Sequence, residues 1–301
     1  MNPTKNIRLF TAICAVLLGT AFCASAVMKV MDLDGFKLYV FSNIPLSYNL
    51  TEVLSYVLVA VEFSVGIQFL TLRTSRISFW IAAALLSFFS AFLVWRIILG
   101  DTGNCHCFGS RLKMDPLTSL IKNGILALLL FVVWHHKKYA GSGAALVGSC
   151  AMIVALIASS IVCKPDFICA SKHQAPEMNE NELIGLLEEY GLDSGTHEVV
   201  FLSTGCRYCQ MFMSKLHSLV KHGVVDSGRL FFFFSGFGDI SDSVNDFFNN
   251  YSEWILYPSV TLDPVRFLSI TNGSMPVAVT AVEGQIVSKY DLILLTESKF
   301  K

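Results

Sequence analysis

Charge is scarce in this sequence. Only 15% of its 301 residues are Asp, Glu, Lys or Arg, against about 25% in ordinary soluble domains. With 53% hydrophobic residues, such a chain is neither intrinsically disordered nor a coiled coil, and it lacks the basic surface of a nucleic-acid-binding module. A strong net charge is also missing. The formal value is −1, so no global field draws the chain toward an anionic partner. A mean hydropathy of +0.57 argues against a fully soluble protein. The alternating polar and apolar segments of a membrane β-barrel are absent as well, because the apolar runs are continuous.

The few charges are unevenly spread. Residues 1–163 hold 12 basic and 6 acidic side chains, and residues 164–301 hold 10 basic and 17 acidic ones. This step reads as a membrane half followed by a soluble half. A bilayer core takes about 20 mainly apolar residues in a helix. Five windows qualify, near Arg8–Val30, Glu52–Leu72, Ser78–Leu99, Leu117–Trp134 and Ala144–Cys163. In lipid the backbone must pair internally, so these are helices.

Basic residues between the spans set the orientation. Lys5 and Arg8, Arg73 and Arg76, and Lys137 and Lys138 fall on one side, read as cytoplasmic. Met31–Thr51, Gly100–Pro116 and everything after Cys163 then lie outside; Arg111 and Lys113 in the third connection oppose this and are outvoted by the three clusters. An odd number of spans exports the C-terminal half to the periplasmic or extracytoplasmic side of a bacterial cell membrane. The first span, with Ala24-Ser25-Ala26, also fits a cleavable signal peptide, and that alternative leaves the export unchanged.

Ionisable groups in the bilayer cost about 3 kcal/mol each on insertion scales, and are usually paired or functional. Lys29, Arg96 and Lys122 fall near span ends, where long side chains are expected to snorkel to water. Glu62 falls near a midplane. It reads either as a hydrogen-bonded structural residue or as a proton or charge partner for redox chemistry. A transport role would rest on Glu62 alone, since the spans show no inverted repeat.

Three motifs in the membrane half carry a resemblance. They are Lys29-x-x-Asp32 followed by Gly35-Phe36 and Tyr39, Glu62-x-x-x-Gly66, and Asn104-Cys105-His106-Cys107-Phe108-Gly109-Ser110. Over roughly residues 8–136 the chain resembles the DoxX-like membrane proteins, and within them the methylamine utilisation protein MauE branch, which has a Cys-x-Cys-Phe-Gly segment at this point. The resemblance implies a four-helix membrane bundle. For that branch it also implies a part in forming disulfides during maturation of methylamine dehydrogenase. His106 stands where a small residue such as Gly is expected between the cysteines.

In the C-terminal half, Asn179–Tyr190 has the apolar spacing of a helix, with Leu183, Leu186 and Leu187 on one face. Glu198–Ser203 reads as a buried strand. It leads through Thr204-Gly205 to Cys206-Arg207-Tyr208-Cys209 and a helical pattern of Met211, Phe212, Lys215, Leu216 and Leu219. Further strands are expected at Arg229–Ser235, Val277–Val282 and Gln285–Tyr290, and a helix at Asp239–Tyr251. Strand, Cys-x-x-Cys, helix, strand and an X-Pro before a closing hairpin resemble the thioredoxin fold over about residues 178–301. The signature residues are Cys206, Cys209 and a cis-proline at Pro276 after Met275. An insertion is expected around Phe237–Arg266, and Gly205 replaces the usual aromatic before the first cysteine.

A cysteine at a helix N-terminus faces unpaired N–H groups and the positive end of the helix dipole, which favours its thiolate. Arg207 adds a positive charge beside it. Cys209, one turn on, is placed to resolve a mixed disulfide.

Nine cysteines are present. Cys14, Cys23 and Cys150 fall within spans as packing residues. Cys105, Cys107, Cys163, Cys169, Cys206 and Cys209 are all expected outside the cytoplasm, as three pairs in an oxidising compartment. A disulfide over one intervening residue closes a small strained ring that reduces readily, which suits Cys105 and Cys107 to oxidant chemistry. A metal site with His106, or idle thiols, are the other readings, and zinc would need further ligands. Cys163 and Cys169 read equally as a structural disulfide or a relay.

The expected architecture is therefore an α-helical polytopic bundle over 1–140, a fifth span and linker over 141–176, and an α/β thioredoxin-like domain over 177–301. The expected function is a membrane thiol–disulfide oxidoreductase. Its partners are exported protein thiols or disulfides and the lipid bilayer, not nucleic acid. Cys206 exchanges with substrate, Cys209 resolves, and Cys105 and Cys107 exchange electrons with that pair, by way of Cys163 and Cys169 or directly. No cofactor is written in the sequence, and a quinone enters only by analogy with other membrane disulfide-forming systems. A maturation factor for one exported client, and an inert membrane anchor for an active soluble domain, are the alternatives.

Overall fold

The structure, a computed structural model, describes residues 3–44, 46–98, 115–136 and 143–300. Cys105, His106, Cys107, Arg111, Lys113, Lys137 and Lys138 lie outside the described residues. The chain divides into two compact units. One is Met1–Tyr39 with Thr51–Pro165, and the other is Val40–Leu50 with Asp166–Lys301.

The first unit is helical. It contains α1 (Pro3–Val30), most of a short α2 (Leu33–Asn43), all but the first turn of α3 (Tyr48–Leu70), α4 (Arg76–Ile98), α5 (Pro116–His136) and α6 (Gly143–Val162). All but α2 are long and apolar enough to cross a membrane, at the positions that the apolar runs predict. Large apolar side chains such as Phe10, Trp80, Phe88 and Phe131 point away from the protein, as expected where lipid rather than water is the neighbour. α2 departs from expectation: the segment after the first span is helical rather than a plain loop. α4 starts on a reciprocal cap. The Ser75 hydroxyl accepts from the Ser78 N–H at 3.1 Å, and the Ser78 hydroxyl accepts from the Ser75 N–H at 3.0 Å, which satisfies donors that a helix start leaves open.

Small residues let these helices approach. A Cβ at Gly19 would lie 2.7 Å from the Gly66 carbonyl oxygen, and one at Gly66 would lie 2.5 Å from Cys23 Sγ. α1 and α3 therefore cross at backbone contact, as helices do in lipid where packing supplies the attraction. Gly148 of α6 likewise accepts a hydrogen bond from Ser64 of α3 through its carbonyl oxygen, at 2.8 Å.

The second unit is a small mixed α/β domain. After α7 (Asp166–Ala170) come α8 (Glu180–Glu189), β1 (Thr196–Leu202), α9 (Arg207–Lys221), β2 (Leu230–Ser235), α10 (Ser241–Tyr251), β3 (Ser259–Leu262), α11 (Pro264–Thr271), β4 (Val277–Val282) and β5 (Gln285–Tyr290). The five strands form one sheet in the order β3-β2-β1-β4-β5. β1 and β2, and β2 and β3, run parallel; β4 is antiparallel to β1 and to β5.

Alternation along the strands sends side chains to two helical layers. Val199, Phe201 and Phe233 join Leu183, Leu186 and Leu187 of α8 and Phe267 of α11 in one core. Phe232 and Phe234 turn to the opposite face against Phe248 of α10. The run of four phenylalanines is thus shared between both faces of a strand that is covered on each side. The closing hairpin matches its expected bounds, turning at Glu283 and Gly284 with φ of 49° and 74°. The expected insertion is ordered structure: it builds α10, the edge strand β3 and the start of α11. α7 breaks the connector that the sequence suggested over Lys164–Pro176.

Candidate functional site

Within the mixed domain the two cysteines of Cys-x-x-Cys occupy unlike environments. β1 is central and fully buried from Glu198 onward, which fixes where the chain leaves the sheet. Cys206 is the N-cap residue of α9, with extended backbone (φ −85°, ψ 120°) and no side-chain capping bond. The residue is partly exposed, between exposed Gly205, Arg207 and Tyr208. Cys209, one turn into the helix, is fully buried.

The Cys209 sulfur accepts from the Ser203 N–H at 3.4 Å and is in side-chain hydrogen-bond contact with Cys206. Burial pushes the Cys209 thiol well above its ordinary value, with the Cys206 contact adding to the rise and the Ser203 N–H opposing it. The pair thus consists of one partly exposed cysteine at a helix N-terminus and one buried cysteine behind it. The Met275–Pro276 bond is cis, as the sequence led us to expect. Phe201 pairs with Val277 across β1 and β4, so Pro276 stands beside Leu202, at the strand end that leads to Cys206. A Cβ at Gly205 would meet no atom within 4 Å; the residue leaves open space before the first cysteine.

The same domain buries two charged residues whose partners the sequence does not show. Lys215 of α9 is fully buried. Its ammonium donates to the Leu292 carbonyl at 3.0 Å, lies 3.7 Å from the Tyr48 ring centroid and 3.8 Å from an Asp166 oxygen. Its place in the apolar stripe of α9 was the available signal of its burial. Glu198 of β1 accepts hydrogen bonds from Tyr290 at 2.6 Å and Thr280 at 2.9 Å. Burial raises its carboxyl above the usual range, and the two hydroxyls oppose the rise.

In the helical unit the intramembrane charges are paired. Lys29 of α1 donates to Glu62 of α3 at 2.8 and 3.0 Å and to Ser25 at 2.7 Å, and Ser25 donates to Glu62 at 3.2 Å. The ammonium also lies 5.6 Å from the Phe36 ring and 5.3 Å from Phe89. Lys29 is 1% exposed and Arg96 6%, so neither snorkels. A carboxylate 33 positions away in sequence holds Lys29, and the Tyr39 hydroxyl and ring hold Arg96. Asp32 is buried beside Gly35, where a Cβ would lie 2.6 Å from its carboxylate.

A second buried pair was not foreseen. Lys37 bonds Glu52 at 2.9 Å and Asp34 at 2.8 Å. Cys163, just past α6, donates to Asp34 at 2.9 Å, and its carbonyl accepts from Tyr56 at 2.7 Å. Cys163 and Cys169 are both free and partly buried. Cys105 and Cys107 lie outside the described residues. Among the described residues no cluster of three metal-binding side chains occurs.

A stretch of the chain is 31% identical over 125 residues to Protein TlpB of Flavobacterium psychrophilum, covering 39% of this chain and 34% of that protein. The chain thus spans about a third of the length of this curated relative. No solved structure matches. Residues 7–136 match the family described as Methylamine utilisation protein MauE, and with five apolar helices this makes the protein a multi-pass membrane protein with a MauE-like membrane domain.

Proposed function

We propose that the chain is a membrane-bound thiol–disulfide oxidoreductase whose C-terminal domain is thioredoxin-like and lies on the periplasmic side. The observation that carries the reading is the asymmetry of Cys206 and Cys209: the N-cap residue of α9 is partly exposed, and a buried thiol touches it from one turn below. The sheet order with helices on both faces, and Pro276 beside the strand end before Cys206, support the fold assignment. The distribution of Lys and Arg supports the orientation.

The chemistry balances as thiol–disulfide exchange. The Cys206 thiolate attacks one sulfur of a substrate disulfide, forms a mixed disulfide and expels the other sulfur as a thiolate. Cys209 loses its proton as it attacks Cys206. It closes the intramolecular disulfide and releases the substrate as a dithiol. Run backward, the same steps oxidise an exported dithiol. Cys105 and Cys107 exchange electrons with this pair, with Cys163 and Cys169 as a relay. Joining both redox sites in one chain raises their effective concentration to about the millimolar range for a flexible tether.

A second reading is favoured by the match over residues 7–136: a maturation factor that forms disulfides in one exported client, as in methylamine utilisation. Replacing Cys209 with Ser tests both. In membranes the variant should accumulate a mixed disulfide at Cys206, identified by mass spectrometry. Many exported partners, or Cys105 and Cys107, indicate a general relay, and one partner indicates a dedicated factor. No adduct at Cys206 would sink the oxidoreductase reading.

A further inference from the structure

The helical unit contains a cleft of about 550 Å³ between α4 and α5, within the size of sites that take small organic ligands. Its two ends differ. Phe79, Trp80, Phe131 and Trp134 line one end, with Trp80 and Trp134 ring centroids 5.7 Å apart. Ser87, Ser90 and Asn123 line the other. Asn123 is only 5% exposed, and its amide donates to the Ser90 hydroxyl at 3.3 Å. A carboxamide has a second N–H to offer.

These polar groups are deep. Ser90 and Asn123 lie about 12 and 10 Å along their helices from the ends at Ile98 and Pro116. A charged phospholipid headgroup belongs at the interface, not at that depth. An uncharged ring with carbonyl acceptors on an apolar tail fits both ends. Asn123 also borders a second, water-sized void lined by Lys29, Glu62 and Lys122, which brings titratable groups to the far side of the same residue.

We propose that the α4–α5 cleft binds a membrane quinone, with its ring at Ser90 and Asn123 and its tail along the aromatic end, as the two-electron acceptor for the cysteine pairs. The electron source rests on the oxidoreductase reading above. A dithiol closing to a disulfide releases two electrons and two protons, and a quinone that takes up both becomes a quinol. Lys29, Glu62 and Lys122 mark the proton route beside Asn123.

The test uses the full chain in phosphatidylcholine nanodiscs. Trp95→Phe and Trp254→Phe leave Trp80 and Trp134 as the reporters. Titration with decylubiquinone should quench their fluorescence saturably. Gly124 lines the cleft, and a Cβ there meets no atom within 4 Å, so Gly124→Phe sends its side chain from an open position into the space a ligand would take. It should weaken binding at least tenfold, and Asn123→Leu should do the same.

Quenching that rises without saturation, or is unchanged in Gly124→Phe, overturns the site. Mixed-disulfide trapping at Cys206 separates the two readings. Trapping without saturable quenching removes the quinone site alone. Saturable quenching without trapping removes the thiol reading and leaves the binding site.

Discussion

Lys29 Nζ lies 2.8 Å from Glu62 Oε2, with both side chains almost fully buried between α1 and α3. Removing one partner leaves a lone charge in a low-dielectric interior, which typically costs about 3–5 kcal/mol. Glu62→Leu or Lys29→Met alone should lower the melting temperature in detergent markedly. The double variant should recover most of the loss. A double variant no better than the worse single one would mean that the pair is not what holds these groups.

The α1–α3 crossing should be as intolerant of bulk as the buried pair is of lost charge. With a Cβ at Gly66 only 2.5 Å from Cys23 Sγ and 2.9 Å from the Cys23 nitrogen, Gly66→Leu must push the helices apart. Overpacking of this kind costs about 1–3 kcal/mol. Gly124→Leu, into open space, serves as the matched control. Thermal unfolding in detergent should separate the two clearly.

Cys206 and Cys209 should differ in alkylation. In the reduced protein at neutral pH, iodoacetamide should modify Cys206 at least tenfold faster than Cys209, read by peptide mass spectrometry. The reason is access together with the high thiol value that burial imposes on Cys209, since only the thiolate reacts. Equal rates would remove the asymmetry on which the proposed direction of attack depends.

Glu198 should make the stability of the mixed domain depend on pH. Its carboxyl is raised in the folded state, so the folded protein holds the proton that the unfolded chain gives up at about pH 4.3. The stabilisation is complete below that value and is lost as pH rises through the folded one. Glu198→Gln keeps the acceptor for Tyr290 and Thr280 and should flatten the profile. Denaturant unfolding between pH 4 and 8 measures this, and an unchanged slope would assign the dependence to another group.

Features that depend on a few neighbouring residues were legible in the sequence. Continuous apolar runs must become helices in lipid because no other backbone conformation pairs all its polar groups there. Five of them were therefore legible, as were the buried β1 strand, Cys206 at the start of α9 and the Val277–Tyr290 hairpin, each written in a few neighbouring residues. Tertiary structure decided which distant residues meet. Lys29 and Glu62 are 33 positions apart, Glu198 and Tyr290 are 92 apart, and Lys215 reaches the Leu292 carbonyl 77 positions on. Lys29 and Arg96 looked like snorkelling cations because sequence shows a residue's distance from a span end and not the partner waiting inside. The α4–α5 cleft likewise exists only once two helices pack, since its shape is set by the space their side chains leave unfilled.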